Sequence, residues 1–193
     1  MQGLQQKIKT GIRQYGNSGA SAVEFAIILP ILVMLVFAAI DFGRLFYARL
    51  IIANIAREGG SIASREISLP AGTYSAANLI SLLQSGARPL NMAANGRIYI
   101  WKIVAGNEAS PEPMIDATKS DEDGNLNVAS TIDSEKDYMG LNSTVYDQLV
   151  YDDSENKKSA NISQINVVEV FYEYRPITPV VMSAKILSSR AIF

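Results

Sequence analysis

The longest hydrophobic stretch of the chain lies close to its N-terminus and covers residues 20–40. It reads ASAVEFAIILPILVMLVFAAI, in which Glu24 is the only charged residue. A helix of roughly 20 apolar residues can cross the hydrocarbon core of a bilayer. A cleaved secretory signal has a shorter apolar region, of about 7–15 residues, followed by a small-residue cleavage site. The pattern therefore predicts a transmembrane helix, and Pro30 inside it predicts a kink.

Beyond the membrane segment, apolar residues recur at spacings of three and four, which is typical of a helix with one buried face. We therefore predict one long helix over residues 20–65, of which residues 41–65 extend out of the membrane. At a rise of 1.5 Å per residue this helix is roughly 65–70 Å long. The positions that carry the pattern are Phe42, Leu45, Phe46, Ile52, Ala53, Ala56 and Ala63.

Residues 66–193 are predicted to form an extracytoplasmic head. Alternating apolar and polar positions, rich in β-branched and aromatic residues, predict half-buried strands. A short helix is expected before them, with Ser75 as its N-cap and Gly86 as its stop. Leu79, Leu82 and Leu83 would face the core from this helix. The predicted strands are Arg97–Val104, Asn166–Tyr174 and Met182–Phe193.

The region between the first two strands, residues 107–163, is polar and predicts exposed loops. The expected fold class is therefore α+β. A long N-terminal transmembrane helix packs on a small antiparallel β-sheet head with polar loops.

The charge distribution predicts how the chain lies across the membrane. Residues 1–19 form a basic leader with Lys7, Lys9 and Arg13 and no acid. The whole chain has a formal net charge of -2. Without these three basic residues, 14 basic and 19 acidic residues remain, so the rest of the chain is more acidic. Basic residues favour the cytoplasmic side, although Arg44 and Arg49 weaken the contrast. We therefore expect a single-pass protein with a cytoplasmic N-terminus and the head outside the cytoplasmic membrane.

Composition argues against several functional classes. The chain contains neither cysteine nor histidine. This removes thiolate nucleophiles, the commonest transition-metal ligand and the usual general base at neutral pH. The mildly acidic body offers no basic patch for phosphates, so nucleic-acid binding is not expected. No catalytic motif stands out, and we expect neither an enzyme nor a cofactor.

Asp121 and Asp123, just before Gly124, are the weak candidates for a metal site. Aligning Gly124 with the invariant glycine of a calcium loop puts Lys119 at the first ligand position. It also puts Ser130 at the twelfth position, where a bidentate glutamate is required. A plain acidic turn is the competing interpretation.

Glu24 is the residue that decides the functional interpretation. A charged residue at the centre of a bilayer costs about 2.5–3.5 kcal/mol on insertion scales, and less near the interface. The simplest alternative is a carboxylate solvated at the headgroup level, with no role. Glu24 is the fifth residue counted from Ala20, it follows Gly19 and a short basic leader, and Phe25 comes next.

That arrangement resembles the type IV prepilins. The wider set of matching stretches resembles the TadE-like family of minor pilins, or pseudopilins, of the tight-adherence (type IVc) pilus. The resemblance covers residues 19–65 and, more weakly, Val167–Pro179. The stretches in the first segment are GASAVEFA, then Leu29-Pro30, then DFGRLFYAR, then NIAREG.

The resemblance implies that a prepilin peptidase cuts between Gly19 and Ala20. Glu24 and Phe25 would then act in subunit assembly. The new α-amino group on Ala20 could be neutralised by Glu24 of an adjoining subunit, since opposite charges attract strongly at low dielectric. The implied partners are other pilin and minor pilin subunits, the prepilin peptidase, the inner-membrane pilus assembly machinery and membrane lipid.

Two other functional classes stay open. A single-pass anchored extracytoplasmic binding domain, outside any pilus, would explain the hydropathy but would leave the spacing from Gly19 to Phe25 to chance. An anchored extracytoplasmic enzyme would use carboxylates, with Asp121 and Asp123 as its first candidates. The sequence alone does not decide whether a pilus subunit lies in the fibre, at its tip or in an initiation complex.

Overall fold

The computed structural model describes residues 2–65, 75–151, 160, 162–179 and 182–193, with side chains in the first helix from residue 19 onward. The predicted loop before the second helix and part of the predicted polar region lie outside these residues. The chain divides into two compact units. One contains residues 1–44 with Pro176–Ser183, and the other contains Leu45–Arg175 with Ala184–Phe193.

Helix α1 runs from Gln2 to Ser64. It ends one residue before the predicted boundary and begins earlier than the predicted Ala20. Pro30 lies inside it. The apolar run at residues 20–40 accounts for the exposed hydrophobic part of the helix. After Leu45, small and branched residues at helical spacing allow one face of the helix to pack in a core.

The head unit contains a five-stranded antiparallel sheet with the order β2-β1-β4-β5, and β3 also pairs with β1. The α+β class with a small antiparallel sheet is thereby confirmed. β1 and β4 begin within two residues of their predicted starts, and β5 begins three residues later than expected. The strands are β1 (Gly96–Val104), β2 (Met114–Ile115), β3 (Asp121–Asp123), β4 (Gln164–Tyr174) and β5 (Lys185–Ile192).

One face of this sheet packs against helices. α2 (Ala76–Gly86) begins and ends as predicted, and the Asn78 N–H donates to the Ser75 hydroxyl at 3.4 Å. The short α3 (Met92–Asn95) follows it. A Cβ on Gly59 would lie 2.7 Å from Leu83 Cδ1, so the glycine allows α1 and α2 to approach closely. This core contains Ile52, Ile55, Ala56, Ala63, Leu79, Ile80, Leu83, Ile98, Ile100, Val168 and Val170.

Two expectations about burial are wrong. Leu82 is 54% exposed, and Ile80 takes its place in the core because it follows Leu79 on the inner face of α2. β1 is not half-buried, since a second apolar layer covers its other face. That layer comes from the polar region, which folds into α4 (Ser143–Leu149) and a 3-10 turn (Asp137–Gly140). The second core, between this layer and the sheet, contains Ile103, Ala105, Ile132, Met139, Leu141, Leu149, Ile165 and Val167.

Candidate functional site

The residues predicted for processing and assembly all lie on α1. Gly19, Ala20, Glu24 and Phe25 are exposed, and Phe25 is 61% exposed. Glu24 follows Ala20 by four residues, so the two positions are separated by one helical turn and a rise of about 6 Å. A Cβ on Gly19 would meet no atom within 4 Å. The predicted cleavage site is therefore uncrowded, although it lies within a helix.

The surface around Glu24 is apolar. Among the described residues, one helix is long and apolar enough to cross a membrane, and none of its most apolar window is buried. An exposed apolar helix of this length fits a single-pass membrane anchor. Residues 20–40 contain no second charged side chain that could pair with Glu24. Cleavage after Gly19, the roles of Glu24 and Phe25, and the kink at Pro30 stay predictions.

A second acidic residue, Asp41, lies directly after the apolar run and is fully buried. Its carboxylate accepts hydrogen bonds from the turn between β4 and β5, in the same compact unit. The Ile177 N–H donates to Oδ1 at 2.9 Å and the Thr178 N–H donates to Oδ2 at 3.0 Å. The Thr178 hydroxyl also donates to Oδ2. Arg44, three residues on, lies 4.0 Å from Oδ1.

This Asp41 site was not predicted from the sequence. Both of its halves fall in stretches that resemble the TadE-like family, but no local pattern joins residues that are 136 positions apart. The sequence does contain one signal for this site, which is an acidic residue at the end of an apolar run. A carboxylate that is buried at such a position needs hydrogen-bond donors, because burying it unpaired is costly.

The head unit contains a further buried acid, Glu169, at the centre of β4. It is 1% exposed and accepts hydrogen bonds from the hydroxyls of Ser130 and Thr131 and from the Thr131 N–H, the last at 3.1 Å. Arg190 donates to the Thr131 hydroxyl at 3.0 Å. The carboxylate therefore fixes the backbone and both hydroxyls of one loop on the sheet.

Successive side chains on one face of β1 fasten the same loop. Arg97 Nη1 donates to the Leu126 carbonyl at 3.3 Å, the Tyr99 hydroxyl to the Val128 carbonyl at 2.6 Å, and Trp101 Nε1 to the Ser130 hydroxyl at 2.8 Å. Burial raises the pKa of Tyr99, so its hydroxyl keeps the proton that it donates. Apart from Arg97 Nε, which is buried without a hydrogen-bond partner, these polar side chains are bonded to the loop.

The weak metal candidates lie on β3. Asp123 accepts a hydrogen bond from the Gln84 side chain at 3.0 Å, and Glu122 pairs with Arg97 at 3.0 Å. Asp121 lies two positions from Asp123 on this short strand. Within the described part of the chain, no group of three or more acidic residues is placed to hold a metal ion.

The exposed apolar segment 20–40, which contains one carboxylate, fits a single-pass membrane anchor, and an α+β head follows it along the chain. The comparison with protein families makes the assignment more specific. Residues 19–61 match the family described as TadE-like protein, which confirms the resemblance over this segment and associates the chain with the Tad pilus system. Comparisons with curated proteins and with solved structures gave no match.

Proposed function

We propose that this chain is a minor pilin-like subunit that takes part in assembly of a Tad adhesion pilus. It is cut by a prepilin peptidase between Gly19 and Ala20. It is held in the cytoplasmic membrane by residues 20–40, with its head on the outer side. Its work is assembly, and no catalytic step is assigned to it.

One observation carries the proposal. Glu24 is the single charged side chain of the exposed apolar segment 20–40, and the matched family segment begins at Gly19, beside the proposed cleavage bond. After cleavage, the positive α-amine of Ala20 needs a counter-charge once it leaves water. Glu24 of a neighbouring subunit supplies one at low dielectric, where a unit charge pair attracts strongly.

Cleavage requires that the helix opens locally at the leader boundary. The stretch Gly16-Asn17-Ser18-Gly19 is made of weak helix formers, and each glycine costs about 1 kcal/mol relative to alanine in a helix interior. At Gly19 itself a side chain would meet nothing within 4 Å, so no packed neighbour shields this residue. The bond after Gly19 is therefore an accessible substrate for a peptidase.

The test separates processing from assembly. In cells that contain the peptidase, mass spectrometry of the mature protein should give an N-terminus at Ala20. Glu24→Gln should still be cut but should be lost from isolated pili. Glu58→Gln is the matched control, because Glu58 is an exposed acid on the same helix, beyond the apolar run. This variant should assemble normally.

Two results would refute the proposal. An intact leader in those cells would favour the alternative, a tethered binding domain outside any pilus. Normal incorporation of the Glu24→Gln subunit would refute the charge-pair mechanism even if cleavage occurs.

A further inference from the structure

In the turn between β4 and β5, every backbone N–H of residues 176–179 has a hydrogen-bond acceptor. Residues 176–179 have the sequence Pro-Ile-Thr-Pro, and the two prolines have no N–H. The two remaining N–H groups, of Ile177 and Thr178, both donate to Asp41, as does the Thr178 hydroxyl. No N–H of these four residues needs water as its partner.

This property matters because Asp41 follows the apolar run directly. The turn bonded to Asp41 must lie at the level where α1 leaves residues 20–40. Irregular backbone with open N–H groups is excluded from the hydrocarbon region, since each unsatisfied group costs several kcal/mol. Because one carboxylate accepts from both N–H groups of residues 176–179, this part of the turn avoids the cost of unsatisfied donors.

The exposed side chains of the turn also suit a position at the membrane boundary. Ile177 is 57% exposed although it is apolar, and Pro179 is also exposed. In the same compact unit, α1 exposes Phe42 and the half-exposed Arg44 just beyond the apolar run. Long basic side chains near the end of a membrane helix extend their charged groups to the interface between lipid and water.

We propose that the turn of residues 176–179 is a second membrane contact of this protein. Ile177 inserts into the headgroup–acyl boundary of the bilayer that α1 crosses, and Asp41 is the positioning residue that holds the turn there. The partner is lipid. The proposal rests on the membrane anchor at residues 20–40, and it is independent of cleavage and of the role of Glu24.

The absence of cysteine from the chain makes the test direct, because any introduced cysteine is the single labelling site. Full-length protein with Ile177→Cys is labelled with an environment-sensitive fluorophore. It is then reconstituted in vesicles of phosphatidylcholine and phosphatidylglycerol that contain a headgroup-level nitroxide lipid. Phe42→Cys is the reference at the boundary. Tyr138→Cys, at an exposed residue of the head unit, is the comparison position outside the proposed contact.

The Ile177→Cys label should be quenched as strongly as the Phe42→Cys label. It should be quenched about threefold more than the Tyr138→Cys label, since an inserted residue lies about 5–10 Å into the boundary. Quenching no stronger than at Tyr138 would overturn the proposal. A blue-shifted label without lipid quenching would also overturn it, because that result assigns the contact to protein.

The role of Asp41 is tested in the same assay. Asp41→Asn and Thr178→Val should each reduce quenching at Ile177 by about half and leave the Phe42 label unchanged, since each removes part of the hydrogen bonding that positions the turn. Thr178→Ser keeps the hydroxyl and should behave as wild type. Unchanged quenching at Ile177 in Asp41→Asn would overturn the positioning role. Glu24→Gln should have no effect here, which separates this proposal from the assembly mechanism.

Discussion

Removing the Glu169 carboxylate should strongly destabilise the head. Glu169→Ala deletes the acceptor of three hydrogen bonds, from the Ser130 hydroxyl, the Thr131 hydroxyl and the Thr131 N–H. At about 1 to 1.3 kcal/mol for each of the three bonds, the loss is about 3–4 kcal/mol. Water that enters the vacated space would reduce this figure.

Glu169→Gln distinguishes the loss of charge from the loss of shape. The amide keeps one oxygen acceptor, but its NH2 group replaces the oxygen that accepts from the Thr131 hydroxyl. That hydroxyl already accepts a hydrogen bond from Arg190. One bond is therefore lost, and the expected destabilisation is about 1–2 kcal/mol. Glu173→Ala is the control on the same face of β4. Its carboxylate pairs with the exposed Arg175, and such surface pairs are worth about 0–1 kcal/mol.

Urea unfolding of the full chain in detergent micelles measures these effects. Trp101 is the single tryptophan of the chain, and its indole N–H donates to Ser130, so its fluorescence reports the same network. With a slope of about 2 kcal/mol per M, Glu169→Ala should lower the urea midpoint by about 1.5–2 M. Equal midpoints for Glu169→Ala and Glu173→Ala would refute the structural role of the buried acid.

Two further predictions use neighbouring or matched positions. Leu83→Ala should destabilise the head by about 2–4 kcal/mol because Leu83 is buried, whereas Leu82→Ala, at a largely exposed neighbour, should change stability by less than about 1 kcal/mol. Equal effects in urea unfolding would contradict the packing of α2. Gly124→Ala should cost more than about 2 kcal/mol, since φ is 133° and the new Cβ would lie 2.2 Å from the Gly96 carbonyl oxygen. Gly86→Ala, with open space around it, is the control, and a thermal midpoint as low as that of Gly124→Ala would show that the strain argument is wrong.

Hydrophobic periodicity was sufficient to predict the main elements. The apolar run, the helical spacing after it and the alternation around Trp101 gave α1, β1 and β4 with boundaries within a few residues, apart from the start of α1. These patterns are local, because each residue meets its neighbours on one face of one element. The family resemblance located Gly19 and Glu24, but the functions of these residues come from that resemblance and not from their contacts.

The second apolar layer, on the other face of the sheet, could not be predicted from local periodicity. Segment 126–131 is fastened to β1 by hydrogen bonds between residues 29 positions apart, and its composition is that of a loop. Local polarity does not reveal that Ser130 and Thr131 satisfy a buried glutamate. Likewise, the position of Asp41 after an apolar run signals a need for donors, but only the folded chain brings the Ile177 turn to it.

The position of β5 at the end of the sheet order has a consequence for contacts between copies of this protein. Among the strands that the structure describes, β5 pairs with β4 on one side only. An open strand edge invites pairing with a neighbouring molecule, and charged side chains discourage it. Lys185 and Arg190 place two positive charges on this short strand. These charges therefore discourage a second copy from extending the sheet at β5.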